Sequence, residues 1–181
     1  MTGVSVMQCK AALEEAGGNV EKALMILSKK SGQIAAKKGD RELGAGTVAS
    51  YIHATKEVGS MVVLRSETDF VSKNEEFVNL AREIALQVAA SNPLYVKRED
   101  IPAEKLEEMK GLYVKEVEGK PENMKETILK GKVDAYLKNI VLLEQAYIKD
   151  PEKTIQNLIE GAVQKFGERV EVGKFVRYSV K

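Results

Sequence analysis

Few side chains in the sequence have the types and spacing that covalent catalysis or metal binding requires. One cysteine, Cys9, and one histidine, His53, cannot supply a zinc site of the usual Cys/His kind. The sequence contains no Gly-x-x-x-x-Gly-Lys-Ser/Thr phosphate loop, no Gly-x-Ser-x-Gly nucleophile elbow and no calcium-loop pattern. His53 lies in a strand pattern without a second nucleophile near it in sequence, which favours a hydrogen-bonded structural histidine. Most familiar enzyme classes are therefore excluded, and we expect no metal site.

Residues 44–49 match the Gly-x-Gly-x-x-Ala spacing of a dinucleotide-binding loop. Such a loop needs a strand before it and a helix after it, so that the helix N-terminus meets the pyrophosphate. Here the predicted order is reversed, with a helix before the motif and a strand after it. The motif therefore favours a flexible link into a strand over the site of a nucleotide-binding enzyme.

A cluster of basic residues precedes this motif. Its members are Lys29, Lys30, Lys37, Lys38 and Arg41. The cluster could contact RNA or an acidic protein face, but charges on small helices more often form a solvated surface. The chain has 28 Lys and Arg against 27 Asp and Glu, which gives a net charge of +1. This balance argues against a dedicated nucleic-acid binder, whose affinity depends on neutralising many phosphates.

The segment of residues 64–77 joins a predicted apolar strand to a predicted amphipathic helix. Ser72 and Glu75 have the spacing of a capping box, so the helix is expected to start there. Residues 69–71, Asp-Phe-Val, would then lie in the connecting loop. An exposed loop aromatic beside an acidic residue would suit a recognition wedge.

The same segment allows a second interpretation. Phe70 would pack under the helix, and Asp69 or Thr68 would be the helix cap. The spacing of the residues alone favours this second interpretation over an exposed wedge.

The elements that must position this segment change their hydrophobic period along the chain. In residues 47–67 apolar residues first alternate with polar or aromatic ones, a turn is expected at 58–60, and the apolar run 61–64 follows. This pattern predicts two strands in a hairpin. From Phe77 the apolar residues have a helical period, and Asn92-Pro93 is expected to end that helix. A hairpin and a helix therefore flank the segment on its two sides.

Three more helices and a final strand are predicted in the second half of the chain. The helices start near Pro102, Pro121 and Pro151, with a break at residues 119–121. The last segment alternates, and the apolar residues on one of its sides are Val170, Val172, Val176, Tyr178 and Val180. Such a strand can add to the hairpin, so we predict an α+β fold with an antiparallel sheet flanked by helices.

The N-terminal residues predict short helices that are too small to build much core alone. They should form an appendage, with residues 31–32 and 37–44 as the link to the rest of the chain. We therefore divide the chain into a helical module at 1–38, a linker at 39–46 and an α+β core at 47–181.

The cellular location is predicted from three features of the sequence. No apolar run approaches the about 20 residues that a membrane span needs. The N-terminus shows no basic region followed by an apolar region, so no signal peptide is visible. The single cysteine cannot form an intrachain disulfide, which indicates a reducing compartment. We expect a cytoplasmic protein that does not contact a membrane.

Residues 67–74 resemble the signature of the bacterial elongation factor Ts family. The family pattern is Glu-Thr-Asp-Phe-Val, then Ala or Ser, a basic residue and Asn, and this chain has Glu67-Thr68-Asp69-Phe70-Val71-Ser72-Lys73-Asn74. Residues 2–13 are similar to the family's N-terminal Thr-Gly-x-Gly-x-x-x-Cys-Lys-x-Ala-Leu segment. Segments 51–53, 142–145 and 175–178 follow in family order, so the resemblance covers essentially the whole chain.

The resemblance implies a compact form of the family. Residues 1–38 would form a module like a ubiquitin-associated domain, and residues 47–181 would form the core and dimerisation domain. The family usually has one more helix before the Thr-Gly segment, so by this resemblance the module would lack its first helix, and Ser5 replaces the usual second Gly. Compact members dimerise, so the resemblance leaves a homodimer open.

The resemblance also implies a function in translation elongation. The chain would bind elongation factor Tu carrying GDP, displace Mg²⁺ and GDP and let GTP rebind, without covalent chemistry, catalytic residues or a cofactor. Thr68, Asp69, Phe70 and Val71 would form the partner-binding loop that dislodges Mg²⁺. Phe70 would be the wedge, Asp69 would hydrogen-bond or repel groups that position the metal, and Thr68 and Val71 would shape the loop.

A different class of function stays open from the residues themselves. It is a homodimeric or RNA-associated structural protein that uses the basic cluster and has no exchange activity. That protein would show salt-sensitive RNA binding and would be indifferent to Phe70→Ala. The resemblance favours exchange, without stable nucleic-acid binding.

Overall fold

The computed structural model describes residues 4–117 and 122–180. Its helices are α1 (Val6–Glu15), α2 (Val20–Lys37), α3 (Asp69–Ser72), α4 (Glu75–Ser91), α5 (Ala103–Val117), α6 (Glu122–Ile140) and α7 (Ile155–Phe166). Its strands are β1 (Ala45–Ile52), β2 (Val58–Ser66), β3 (Ala146–Tyr147), β4 (Asp150–Thr154) and β5 (Val170–Ser179). Short 3-10 helices lie at Arg98–Asp100 and Leu142–Glu144. No helix among the described residues could cross a membrane.

The main sheet contains three antiparallel strands in the order β1-β2-β5. This confirms the predicted α+β fold, the hairpin and the addition of the C-terminal strand to it. The predicted turn at residues 58–60 is wrong, because the chain turns earlier, at a left-handed Lys56, and Gly59 pairs with Ile52 inside the sheet. A Cβ at Gly59 would lie 3.3 Å from the Tyr51 carbonyl oxygen, so this glycine permits close approach within the hairpin.

Strand β5 contains a bulge at Gly173, where its register against β2 shifts by one residue. Before the bulge Val172 is buried, and after it Phe175 packs against the main core. Val176 and Tyr178 are exposed on the other face. The prediction that they share a side with Val172 is therefore wrong, because one extra residue inverts the alternation.

Helix α4 covers one face of the sheet. Its predicted apolar stripe is confirmed: the buried apolar side chains of α4 are Phe77, Ala81, Ile84, Ala85, Val88 and Ala89. All of them except Ala89 join β1, β2, β5 and α7 in the main core. The predicted end at Asn92-Pro93 is also confirmed, since Asn92 is a left-handed C-cap.

The second half of the chain adds a helical hairpin and helix α7. α5 and α6 contact each other and share a separate small core. The break predicted at residues 119–121 lies outside the described residues. Pro151 does not open a helix but lies in β4, and α7 begins after Thr154, whose side chain forms a capping box with Asn157.

The N-terminal helices α1 and α2 pack together around a small apolar cluster of their own. The expected link at residues 31–32 is wrong, because α2 runs through these residues without interruption. There the Ser31 hydroxyl hydrogen-bonds the Gln164 side chain, and Gly32 lies against Glu160. The second half of α2 therefore docks on α7.

Candidate functional site

The segment between β2 and α4, hereafter the 67–74 loop, contains one turn of helix. Helix α4 is capped by Asn74, whose Oδ1 accepts a hydrogen bond of 2.9 Å from the Glu76 amide. The expected cap at Ser72 is wrong, since its hydroxyl donates to the Asp69 carbonyl oxygen at 3.2 Å and lies inside α3. The predicted irregular loop at 69–71 is therefore a short helix.

Two adjacent side chains of α3 have different surroundings. The Phe70 residue is 82% exposed, whereas Val71 is only 4% exposed and belongs to the main core. One helical residue turns the chain by about 100°, so neighbours on a short helix face different surroundings. The interpretation that Phe70 packs under α4 is wrong. Val71 anchors the turn, and the Phe70 ring is left available for contact.

Asp69 lies beside Phe70 and is paired within the same helix. Its carboxylate accepts a hydrogen bond of 2.6 Å from the Lys73 ammonium, and both side chains are exposed. This hydrogen bond and the charge of Lys73 hold the pKa of Asp69 below its usual value. Asp69 is therefore an anion at neutral pH. Exposed pairs of this kind contribute little stability, so a stronger partner can replace Lys73.

The base of the 67–74 loop is held by residues from distant parts of the sequence. The Glu67 carboxylate accepts hydrogen bonds from the Arg169 amide at 2.5 Å and from the Arg41 guanidinium at 3.1 Å. Burial raises the pKa of Glu67, but these hydrogen bonds outweigh burial and the pKa lies below its usual value. Thr68 donates from its amide and its hydroxyl to Glu168. The sequence patterns did not indicate these contacts.

The face of the main sheet opposite α4 exposes apolar side chains. In one cross-strand row Met61 pairs with Ser50 and Val176. In the next row Gly59 lies between Ile52 and Tyr178. The largest exposed apolar side chains of this face are those of Val48, Ile52, Met61, Val176 and Tyr178. This face, hereafter the outer sheet face, is a second candidate for contact with a protein.

The remaining sequence motifs have other surroundings. Residues 44–49 enter β1 directly, so no helix N-terminus follows the glycines as a dinucleotide site requires. His53 is exposed, and its Nδ1 lies 3.1 Å from the Tyr51 hydroxyl oxygen, within hydrogen-bonding distance. Among the described residues, no three His, Cys, Asp or Glu side chains group as metal ligands.

Most of the basic cluster has intramolecular partners. Lys30 pairs with Glu15 at 2.6 Å, Lys38 donates to a main-chain carbonyl oxygen, and Arg41 binds Glu67. The ion pairs of Lys30 and Arg41 lower the charge that the cluster presents to a polyanion.

Comparison with known proteins gives one consistent family. Residues 6–181 match the family model described as Elongation factor TS. The chain is 48% identical to Elongation factor Ts of Thermodesulfovibrio yellowstonii over 99% of this chain and 90% of that relative. It is 44% identical to the proteins of the same name from Thermotoga petrophila, over 99% of this chain and 90% of the relative, and from Desulforamulus reducens, over 99% and 83%.

Proposed function

The chain belongs to the elongation factor Ts family and is a factor of translation elongation, and from this premise we propose that it is the guanine-nucleotide exchange factor of elongation factor Tu. It binds elongation factor Tu carrying GDP, displaces Mg²⁺ and GDP, and lets GTP rebind. The observation that carries the proposal is the exposed Phe70 ring on a helical turn anchored by buried Val71. The activity is one of binding, without covalent chemistry.

Exchange of this kind follows from thermodynamic linkage. In such GTPases Mg²⁺ bridges phosphate oxygens and protein ligands and so helps to hold the nucleotide. A partner that binds best to the distorted site lowers the affinity of the GTPase for nucleotide and Mg²⁺. By linkage, nucleotide and Mg²⁺ lower the affinity for the partner by the same factor. Phe70 is the group that enters the GTPase and favours the distorted state. Its burial there supplies binding energy that is lost if the site closes again.

The other residues of the partner-binding loop have distinct roles. Asp69 brings a negative charge to the metal site, where it hydrogen-bonds or repels the groups that position Mg²⁺. For this its ion pair with Lys73 must break, which costs little free energy because both side chains are exposed. Val71 and Thr68 shape the loop, the first by burial in the core and the second through its hydrogen bonds.

We also propose the three-part division of the chain. Residues 1–38 form the helical module, 39–46 the linker and 47–181 the core that carries the loop. The module supplies a second contact with the GTPase, and it presents exposed apolar side chains for this purpose, including Met7 and Met25. The docking of α2 on α7 supports a fixed distance between the two contacts.

We also propose that the chain forms a homodimer in which a second copy covers the outer sheet face. Its charged side chains Arg65, Glu171 and Lys174 lie toward one end, so a second copy related by a twofold axis brings apolar rows together without opposing like charges in the centre. Met61→Glu in the central strand is expected to give a monomer in sedimentation velocity, while Leu112→Glu on exposed α5 leaves the dimer intact. A monomeric wild type, or a dimer that survives Met61→Glu, contradicts this proposal.

The exchange proposal is tested by release of fluorescent GDP from elongation factor Tu, chased with excess unlabelled GDP. The full chain is expected to accelerate release in proportion to its concentration until saturation. Excess Mg²⁺ should reduce the acceleration, since the metal and the factor oppose each other by linkage. No acceleration with a cognate GTPase, together with salt-sensitive RNA binding, would favour the RNA-associated structural protein instead.

A further inference from the structure

A carboxylate from the turn between α7 and β5 holds the start of α3. Glu168 Oε2 accepts a hydrogen bond of 3.0 Å from the Thr68 amide, and Oε1 accepts one of 2.6 Å from the Thr68 hydroxyl. The two residues are 100 positions apart in sequence. Both oxygens of one carboxylate therefore bind a single residue of the 67–74 loop.

These bonds replace the usual local cap of the helix. Thr68 is the N-cap residue of α3, but its side chain makes no capping hydrogen bond to α3. A threonine in this position normally bonds the amide two or three residues further on. Here its hydroxyl is directed to Glu168, so a residue of a different element sets the direction in which α3 starts.

The turn that carries Glu168 is itself fixed. Helix α7 ends at Gly167, whose left-handed φ of 70° reverses the chain. Lys38, which follows α2, donates to the Gly167 carbonyl oxygen. The Arg169 amide donates to Glu67, and the Arg169 guanidinium donates to the Arg41 carbonyl oxygen. The turn is thus bonded to the linker on one side and to the loop on the other.

The geometry points to Glu168 as a positioning residue of the exchange loop, an inference that rests on the proposed exchange function. The carboxylate holds Thr68, and Thr68 sets the first turn of α3 that presents Phe70. Glu168 acts through Thr68. Its bonds are made before the partner arrives, so the loop does not have to be ordered during binding.

The experiment measures GDP release from elongation factor Tu over a range of concentrations of the full-length factor. Glu168→Ala is expected to lower the maximal release rate about tenfold, because two hydrogen bonds to a charged acceptor are lost. The concentration for half-maximal release should change by less than about twofold, since other contacts bring the partners together. Glu152→Ala, an exposed carboxylate on β4 outside the network, is the matched control and should equal the wild type.

Two further variants separate positioning from general stability. Glu168→Gln retains one good acceptor oxygen and should recover part of the maximal rate. Thr68→Val keeps the shape of the side chain but lacks the hydroxyl. Its effect and that of Glu168→Ala should be non-additive in the double variant, as expected for groups that act through one contact.

Amide hydrogen exchange of the isolated factor gives a readout that does not depend on the partner. In Glu168→Ala the amides of Thr68, Ser72 and Lys73, whose hydrogen bonds depend on the start of α3, should exchange faster, while those of α4 keep their protection. An unchanged maximal rate, a change only in the half-maximal concentration, or unchanged exchange at these three amides overturns the inference. If the wild type itself fails to accelerate GDP release, the exchange proposal fails, and hydrogen exchange alone decides whether Glu168 holds the loop.

Discussion

Phe70 and Val71 are neighbours in α3, but their truncation should affect different properties. Phe70→Ala should lower GDP release, and Val71→Ala should lower folding stability. The Phe70 residue is 82% exposed. A phenylalanine offers about 200 Å² for burial, of which about 160 Å² is free here, equivalent to about 4 kcal/mol at 25 cal/mol per Å². Ordering and desolvation costs reduce this to the about 2 kcal/mol of a typical interface anchor. Phe70→Ala should therefore lower stimulated GDP release about thirtyfold at subsaturating factor.

The folding stability should respond in the reverse order. Phe70→Ala removes little that is buried, so it should change the free energy of unfolding by less than about 0.5 kcal/mol. Val71 is 4% exposed in the main core. Val71→Ala deletes two buried methyl groups, which is expected to cost about 2 kcal/mol and to lower the melting temperature by about 4–8 °C.

The assay pairs GDP release from elongation factor Tu with thermal unfolding of each variant. Release is measured at a temperature well below both midpoints, so that unfolded factor does not contribute. The reasoning is refuted if Phe70→Ala destabilises the factor as much as Val71→Ala does. It is also refuted if Phe70→Ala releases GDP at the wild-type rate, since the exposed ring would then not be the wedge.

The remaining predictions concern charge and backbone packing. Lys73→Ala should raise the pKa of Asp69 toward its usual value of 3.8 in an NMR titration, because the hydrogen bond from Lys73 lowers it. Because the pKa of Asp69 is lower in the folded than in the unfolded chain, its contribution to stability is present above the unfolded pKa and is lost as the pH falls through the folded pKa. Asp69 therefore stays ionised between about pH 6 and 8 and should add no pH dependence to GDP exchange in this range. Gly46→Ala should destabilise the protein by about 1–3 kcal/mol in denaturant unfolding, because a Cβ there would lie 2.6 Å from the Leu64 carbonyl oxygen. Gly111→Ala, with open space around it on α5, should instead stabilise by about 0.5–1 kcal/mol, and the reverse order would contradict the argument.

The spacing of apolar residues along the sequence predicts those helices and strands in which one hydrophobic period runs through the whole element. The apolar stripe from Phe77 to Ala89 marks one helix face, and Asn92-Pro93 ends it. Alternation predicts the hairpin but places its turn too late, because Gly59 has the local signature of a turn residue. A glycine that permits close approach within a strand has the same local signature as one in a turn.

The errors in the prediction occur where a neighbouring element overrides the local pattern. Pro151 has the signature of a helix start, yet it lies in β4 and the helix begins at a better cap, Thr154. Ser72 and Glu75 have capping-box spacing, but Asn74 caps α4. In both places several nearby residues have the signature of a cap, and the structure shows which of them makes the capping hydrogen bond.

The amino-acid sequence by itself determined the family, the α+β fold class and the identity of the 67–74 loop, because these depend on residue types at short, fixed spacings. Only the tertiary structure decided that Phe70 is exposed while Val71 is buried, since α3 must first be placed against the core. The contact of Thr68 with Glu168 joins positions 100 residues apart and carries no local signal. Such a contact exists only after the sheet and α7 have brought the two segments together.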